Sequence, residues 1–270
     1  MARTTCTVNK KTIGDGSVTL MGVINCSPES FFSASYVPPG QVRERAMEMA
    51  GAGAAIIDLG ARSTAPGSPP LSVADEKSRM ESALSSLDGT GLTVSVDTLH
   101  PEVLEACLSH EVHAINDISG LSNPAYSALA GDSGLPVFAM ASRSLPGDAL
   151  SFGETLSNLS LVAGRCEEYG IRAYVLDPGI GRWVPERTAA LDIELCRRFS
   201  EFRAFGKPLL AAVSRKSFIG EITGRPPEGR LPGSLAVTTL LLPAGADVVR
   251  THDVGPTLDA VRSWMAVKSG

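Results

Sequence analysis

The feature that most constrains the fold is a regular alternation of short apolar runs with amphipathic segments along the 270 residues. Most of the runs are continuously apolar, which is typical of parallel strands buried on both faces. The predicted strands are Leu20–Ile24, Ala54–Leu59, Thr93–Val96, Val112–Ile115, Pro136–Met140, Ala173–Leu176, Pro208–Val213 and Asp247–Val249. Eight such units in this length favour an α/β fold of the TIM (β/α)8 barrel type over an open sheet.

Helices are predicted between these strands, because apolar side chains recur there at helical spacing. The segments are Gln41–Ala50, Val73–Leu87, Pro101–Ser109, Pro124–Leu129, Leu156–Tyr169, Thr188–Phe202, Pro232–Leu242 and Pro256–Met265. No linker or composition shift divides the chain, so we predict a single domain over residues 1–270. An N-terminal β-hairpin over Cys6–Thr19, turning at Gly14–Gly16, is expected to cover the N-terminal end of the barrel.

Composition and charge argue against several classes of partner. The net charge of −5 gives no reason to expect nucleic acid or an anionic membrane. The five cysteines are scattered without metal-type spacing, as is typical of reduced thiols in a cytoplasmic protein. The N-terminal segment has no apolar run of the kind found in secretion signals, and Leu235–Ala246 is too short to span a bilayer. We therefore expect a cytoplasmic protein with no nucleic-acid or membrane partner.

Polar side chains follow the predicted strands at their carboxyl ends, where barrels of this type place their chemistry. Any one of them could instead cap the next helix. Capping does not require the cations Lys216, Arg250 and His252, which follow the last two strands at a common phosphate-binding position. The other polar residues at strand ends include Asn25, Asp58, Arg62, Asp97, Asn116, Asp117 and Asp177. Together they predict a pocket with carboxylates and amides on one side and an anion site on the other.

Seven segments together resemble the dihydropteroate synthase family, in order and in spacing, over essentially the whole chain. They are Met21–Phe32, Asp58–Gly67, Val94–Thr98, Ile115–Asp117, Leu176–Gly181, Ser214–Ala236 and Ala246–Val254. The resemblance implies a transferase of folate biosynthesis and a target of sulfonamides. Such an enzyme joins 6-hydroxymethyl-7,8-dihydropterin pyrophosphate to 4-aminobenzoate and releases pyrophosphate.

The resemblance also implies how the pterin ring is bound. Its amino-pyrimidinone edge would be recognised by the matching residues Asp97, Asn116, Asp177 and Lys216. A carboxylate can accept a bidentate pair of hydrogen bonds from the ring, and the lysine can donate one to it.

For the leaving group, the resemblance implies contacts from Asn25, Arg250 and His252, with Mg2+ bridging the pyrophosphate oxygens. Asn25 would be the metal ligand through its amide oxygen, which suits a hard cation. No covalent nucleophile is required, because positioning and charge stabilisation are sufficient for this reaction. The residues implied to carry catalysis are Asp97, Lys216, Arg250 and His252.

The arylamine would attack from a pocket formed by Thr64, Pro66 and Ser217, and the resemblance implies a homodimer through the late helices. On this side the sequence departs from the family. The family's Glu-Ser-Thr-Arg-Pro-Gly loop reads Arg-Ser-Thr-Ala-Pro-Gly here, with Arg62 and Ala65 at the changed positions. Either Arg62 takes over the pyrophosphate contact of the missing arginine from a shifted position, or the acceptor is not 4-aminobenzoate. Trp183 also stands where the family has a different pattern, and it either supplies an aromatic wall or packs structurally.

These departures leave four hypotheses open. The chain is a synthase that uses 4-aminobenzoate, or a related transferase that uses another arylamine or pterin. It is otherwise a pterin-binding methyltransferase domain, against which Lys216, Arg250 and His252 count, since that class needs no pyrophosphate site. A pterin-binding protein without turnover is the last possibility, and Ala65 is the feature that keeps it open.

Overall fold

A computed structural model describes residues 4–28, 36–62 and 71–268. Within these ranges, two short antiparallel strands precede a sheet of eight parallel strands. The strands are β1 (Cys6–Val8), β2 (Lys11–Ile13), β3 (Thr19–Asn25), β4 (Ile56–Gly60), β5 (Val94–Asp97), β6 (Ala114–Asp117), β7 (Val137–Met140), β8 (Tyr174–Asp177), β9 (Leu210–Ala211) and β10 (Val248–Thr251). All eight predicted barrel strands are therefore present.

The parallel strands are ordered β8-β7-β6-β5-β4-β3-β10-β9. The two ends of this order meet through a bridge between Leu176 and Leu209, and the Leu176 amide donates to the Pro208 carbonyl at 2.9 Å. This contact closes the sheet, as a TIM barrel requires. The predicted strand Pro208–Val213 is shorter than expected, because Pro208 has no amide to donate and the chain turns at Val213.

Helices separate the strands on the outside of the barrel. They are α1 (Val42–Gly51), α2 (Val73–Leu87), α3 (Pro101–Cys107), α4 (Pro124–Ser133), α5 (Phe152–Glu168), α6 (Ala189–Arg197), α7 (Ser217–Thr223), α8 (Leu231–Ala244) and α9 (Val254–Lys268). The predicted helix Thr188–Phe202 ends as α6 at Arg197 and continues as 3-10 turns over Phe199–Phe205. The short helix α7 was not predicted from the sequence.

The hairpin is confirmed, but its predicted turn was wrong. Val8 pairs with Lys11, so the loop consists of Asn9 and Lys10. Asn9 has a φ of 52°, a left-handed conformation that asparagine adopts more readily than most residues. Pairing ends where Cys6 meets Ile13, which leaves Gly14–Gly16 beyond the hairpin, in the segment leading to β3.

The core has two layers. The larger layer lies between the strands and the helices, and the smaller one fills the lower barrel. Hairpin side chains Cys6, Val8 and Ile13 join that smaller cluster together with Met21 and Ile56. The hairpin thus covers the N-terminal end, and the carboxyl ends of the strands are left for the site.

Among residues 4–28, 36–62 and 71–268, no helix combines the length and the apolar character needed to cross a membrane.

Candidate active site at the carboxyl ends of the strands

A buried network centred on Arg250 joins the ends of several barrel strands. Its Nε donates to Asp58 Oδ2 at 2.6 Å, and its Nη2 donates to Asp97 Oδ2 at 2.8 Å. The Asn116 amide donates to the same Asp58 oxygen at 2.9 Å. Asp58 is fully buried, so its charge needs these donors. The network sets the relative positions of Asp97, Asn116 and Arg250, three of the residues predicted from the sequence.

Asp97 ends β5 with its side chain about one-fifth exposed at the edge of this network. Burial raises the pKa of its carboxyl to about 7, although Arg250 opposes the shift; Asp58 raises it further. Asp97 is therefore a group that changes charge near neutral pH.

Asp177 and Lys216 stand at the end of β8 and in the segment that follows β9. Asp177 accepts a hydrogen bond from the Gly179 amide at 2.8 Å, while burial raises the pKa of its carboxyl. Burial lowers the pKa of the Lys216 ammonium to about 8, with Asp177 as the main opposing charge. The Lys216 Nζ lies 4.3 Å from the ring centroid of Trp183. Both a carboxylate and an aromatic face thus favour the charged ammonium.

His252 follows β10 and contacts a serine from the end of the neighbouring strand. Its Nδ1 is 3.0 Å from Ser214 Oγ, which also accepts from the His252 amide at 3.2 Å. Burial lowers the pKa of the imidazole to about 3, and the positive charge of Arg250 lowers it further. His252 is consequently neutral at physiological pH and offers hydrogen bonds rather than charge.

Beside His252, Arg215 and Asp253 form a two-bond ion pair, with both N–O distances at 2.8 Å. Arg215 also donates to the carbonyls of Pro227 and Glu228. This pair ties the segment after β9 to the start of α9 and the loop before α8, and so supports the segment that carries His252.

Arg62, predicted as a pyrophosphate contact, is directed elsewhere in this structure. Its Nε donates to the fully buried Glu76 at 2.6 Å, and its Nη2 donates to the Leu71 carbonyl at 2.6 Å. Glu76 also accepts from Thr98 Oγ1 at 2.6 Å. These contacts of Arg62 join the β4 end to α2 and to the β5 end, while an anion contact by Arg62 stays a prediction.

The remaining predicted residues fall into three groups. Asn25 ends β3 and pairs with Gly60, which in turn pairs with Asp97. Asn25 therefore lies near Asp97 on the rim that the carboxyl ends of the barrel strands form. Ser217 begins α7, next to Lys216. Thr64 and Pro66, like Ala65, lie outside the described residues. Asn25 and Ser217 therefore both belong to the rim, as predicted.

Asp117, noted at the same strand end as Asn116, faces away from the pocket. It accepts hydrogen bonds from the amides of Ser119 and Leu121 and from the Ser119 hydroxyl. These bonds stabilise the turn after β6, which gives Asp117 a structural role.

A magnesium ion fits the donor chemistry of the rim in one respect. Asn25 offers an amide oxygen, and Mg2+ held mostly by phosphate oxygens and water needs few protein ligands. Within the described ranges, no group of three or more His, Cys, Asp or Glu side chains could hold a metal ion.

Known proteins share both the motifs and the fold of this chain. Residues 21–252 match the family described as pterin binding enzyme. The dihydropteroate synthase of Escherichia coli strain K12 is 34% identical over 254 residues, which cover 90% of this chain and 89% of that protein. This chain belongs to the dihydropteroate synthase family.

Solved structures of dihydropteroate synthases have the same architecture. The enzyme of Coxiella burnetii, in complex with pteroic acid, has a TM-score of 0.87 at 28% identity and covers 98% of both chains. The enzyme of Thermus thermophilus, in complex with 4-aminobenzoate, has a TM-score of 0.82 at 33% identity and covers 98% of this chain and 100% of that one. The barrel and the family expected from the sequence are thereby confirmed.

For two residues of the pocket, the sequence predicted no specific role. Asp58 was noted at a strand end but given no role, although it bonds both Arg250 and Asn116. An aspartate within an otherwise apolar predicted strand was the available signal, because an ionised carboxylate there needs a partner. Gly181 gave no signal beyond its place in a motif. It leaves room for the Lys216 side chain, and this contact depends on the three-dimensional path of that side chain.

Proposed function

We propose that this protein is a dihydropteroate synthase. It would condense 6-hydroxymethyl-7,8-dihydropterin pyrophosphate with 4-aminobenzoate. The observation that carries the proposal is the convergence of Asp97, Asn116, Asp177, Lys216 and Arg250 at one end of a barrel whose relatives carry that name. The neighbour structures with pteroic acid and with 4-aminobenzoate support the two halves of the substrate pair.

The pterin ring would be bound by Asp97, Asn116, Asp177 and Lys216. Two carboxylates accept hydrogen bonds from the ring's N–H and NH2 groups, and the lysine and the amide donate to its oxygen and nitrogen atoms. The four side chains come from β5, β6, β8 and the segment after β9, so the rigid barrel sets their spacing.

The leaving group would be bound by Asn25, Arg250 and His252. Breaking the bond between the pterin methylene carbon and its oxygen leaves the electron pair on pyrophosphate, and Arg250 stabilises this negative charge. The arylamine nitrogen then forms the new C–N bond and releases one proton. His252, neutral because its pKa is lowered to about 3, would donate a hydrogen bond to the phosphate oxygens. When bound, Mg2+ would supply further positive charge beside these oxygens, held by Asn25.

The amine would reach the methylene carbon from the side of Ser217, with Thr64 and Pro66 completing the pocket as the family resemblance implies. The changes at Arg62 and Ala65 lie on this side, so the identity of the arylamine is the first point to test.

The test uses purified protein with the pterin pyrophosphate, Mg2+ and 4-aminobenzoate. We expect pyrophosphate release that depends on the amine and a product with the mass of dihydropteroate. Asp97→Asn and Lys216→Ala should each abolish pterin binding. Tight pterin binding without amine-dependent product would overturn 4-aminobenzoate as acceptor and lead to a screen of other arylamines. Absence of pterin binding in the wild type would overturn the pocket itself.

A homodimer through the late helices is part of the proposal. Exposed apolar side chains on these helices support it: Ile222 on α7 is 59% exposed, Leu240 on α8 is 71% exposed and Val267 on α9 is 83% exposed. Sedimentation equilibrium should give twice the 28.2 kDa chain mass, and Leu240→Glu should shift it towards the monomer. A monomer in the wild type would contradict this arrangement.

The predicted cytoplasmic location is likewise proposed, supported by five cysteines that are all free.

A further inference from the structure

Lys216 lies against Gly181 and Trp183, and Trp183 in turn lies against Gly147. These three residues are called the lysine seat. Its Nζ lies 4.3 Å from the indole centroid of Trp183. No carboxylate among residues 4–28, 36–62 and 71–268 forms an ion pair with this ammonium. The indole face is therefore a contact that favours its positive charge, in addition to the more distant carboxylates.

Two glycines make room for this contact. Gly181 has a φ of 135°, and a Cβ there would lie 2.9 Å from Lys216 Nζ and 3.0 Å from its Cδ. A Cβ on Gly147, in the loop after β7, would overlap the indole ring of Trp183. The lysine lies across the backbone of one glycine, and the indole lies against the other.

The indole is fixed in place by a hydrogen bond and by a buried ion pair behind it. Its Nε1 donates to the Gly179 carbonyl at 2.9 Å. Arg187, 2% exposed, donates to Asp192 and to the Gly147 carbonyl, each at 3.2 Å. Asp192 in turn accepts from the Gly181 amide at 2.8 Å. Arg187 and Asp192 thus hold both glycines of the seat.

We propose that Trp183 is a positioning residue that holds the Lys216 ammonium at the rim of the barrel through a cation–π contact. Its importance for pterin binding rests on the proposed function, whereas the contact with Lys216 does not. An aliphatic side chain in place of Trp183 would keep the seat largely filled but would not stabilise the ammonium charge. Such a variant therefore separates the packing role of Trp183 from its electrostatic role.

The charge state of Lys216 results from several neighbours. Burial lowers the pKa of its ammonium to about 8, Asp177 and Asp192 raise it, and Arg250 and Arg187 lower it. The indole adds a stabilising interaction for the protonated form. Without this interaction, the pKa of Lys216 would fall by about 0.7.

The test measures the pKa of Lys216 directly, in the absence of substrate. Trace acetylation with acetic anhydride over a pH range, resolved by peptide mass spectrometry, gives the midpoint for each lysine. We expect a midpoint near 8 in the wild type, a downward shift of about 0.7 in Trp183→Leu, and a smaller downward shift in Trp183→Phe. Trp264→Leu is the matched control, because Lys268 lies 4.8 Å from that ring on α9. It should leave the Lys216 midpoint unchanged.

An unchanged or raised midpoint in Trp183→Leu would overturn the proposal, since loss of a space-filling group alone admits water and favours the charge. If Trp183→Leu does not fold, the Lys216 midpoint in Trp183→Phe is the test. A midpoint equal to that of the wild type in this variant would also overturn the proposal. A second readout is affinity for the pterin pyrophosphate, which should fall about threefold more at pH 8 than at pH 6.5 in Trp183→Leu. If the wild type does not bind this ligand, the proposed function fails while the acetylation result still stands.

Discussion

At the scale of single residues, charge in the pocket is organised by a side chain that need not touch substrate. Asp58 is fully buried and bonds Arg250 and Asn116 through one oxygen. It therefore acts through these two residues, one on the proposed pyrophosphate side and one on the pterin side. Loss of its charge should disturb both sides at once.

Asp58→Asn tests this role. The side chain keeps its size but loses the negative charge that holds Arg250, so we expect kcat/KM for the pterin pyrophosphate to fall on the order of 10-fold to 100-fold. Steady-state kinetics over both substrates would measure it. Asp117→Asn is the control, because that carboxylate stabilises only the turn after β6. It should lower the melting temperature and leave KM unchanged; wild-type kcat/KM in Asp58→Asn would contradict the role.

The pKa values of Asp97 and Lys216 predict a narrow pH optimum. The carboxylate of Asp97 is lost as pH falls through about 7, because burial raises its pKa. The ammonium of Lys216 is lost as pH rises through about 8, because burial lowers its pKa. We expect a bell-shaped profile of kcat/KM with a maximum between these values.

Lys216→Arg sharpens that measurement. A guanidinium stays protonated over the whole range, so the alkaline limb should disappear while the acid limb remains. An alkaline limb that persists in this variant would assign it to another group.

At the scale of elements, the buried carboxylate of Glu76 joins the ends of β4 and β5 to helix α2. Arg62 at the end of β4 bonds Glu76 of α2, and Glu76 also accepts from Thr98 after β5. Helix α2 begins at an N-cap, Ser72, whose hydroxyl accepts from the Asp75 amide at 3.0 Å. Cap and ion pair together fix the first turn of α2 against the barrel.

Arg62→Ala should cost about 3 kcal/mol of unfolding free energy, because it removes the arginine that pairs with the fully buried Glu76. Urea unfolding would measure it. Arg45→Ala removes an exposed pair with Glu48 and should change stability by less than about 0.5 kcal/mol. If Arg62→Ala keeps full stability but raises KM for the pterin pyrophosphate strongly, the predicted anion contact is the correct role of Arg62.

At the scale of the whole molecule, the lower core and the substrate-binding residues occupy opposite ends of the barrel. The hairpin and the lower core fill the N-terminal end, whereas the described residues proposed to bind substrate lie at or just after the carboxyl ends of the strands. Mutations in the lower core should consequently change the free energy of unfolding, whereas mutations of the substrate-binding residues should change the kinetic constants.

Ile13→Ala tests this separation. The side chain is fully buried in the lower core, and its loss should cost about 3 kcal/mol of unfolding free energy. Kinetic constants of the folded enzyme should stay at wild-type values. Lys10→Ala, in the exposed hairpin turn, should change stability by less than about 0.5 kcal/mol. A large change of KM in Ile13→Ala would show that the two ends are coupled.

Much of the molecule was determined by the sequence itself. Continuous apolar runs predict parallel strands because a strand covered on both faces has no solvent side, and all eight were found. Since the carboxyl ends of such strands meet at one rim, Asp97, Asn116, Asp177, Lys216 and Arg250 could be grouped from the sequence alone. Local conformation was less accessible: the hairpin turns at Asn9 rather than at the glycines, because cross-strand pairing sets the turn.

Only the tertiary structure decided which way the side chains point. Asn116 and Asp117 are adjacent, yet one enters the pocket and the other stabilises a turn, because successive side chains of a strand face opposite sides. Arg62 is directed to Glu76 on the following helix, and Lys216 to a tryptophan from another loop. These partners are distant in sequence, so no local pattern could have specified them; their contacts depend on the closed barrel bringing the loops together.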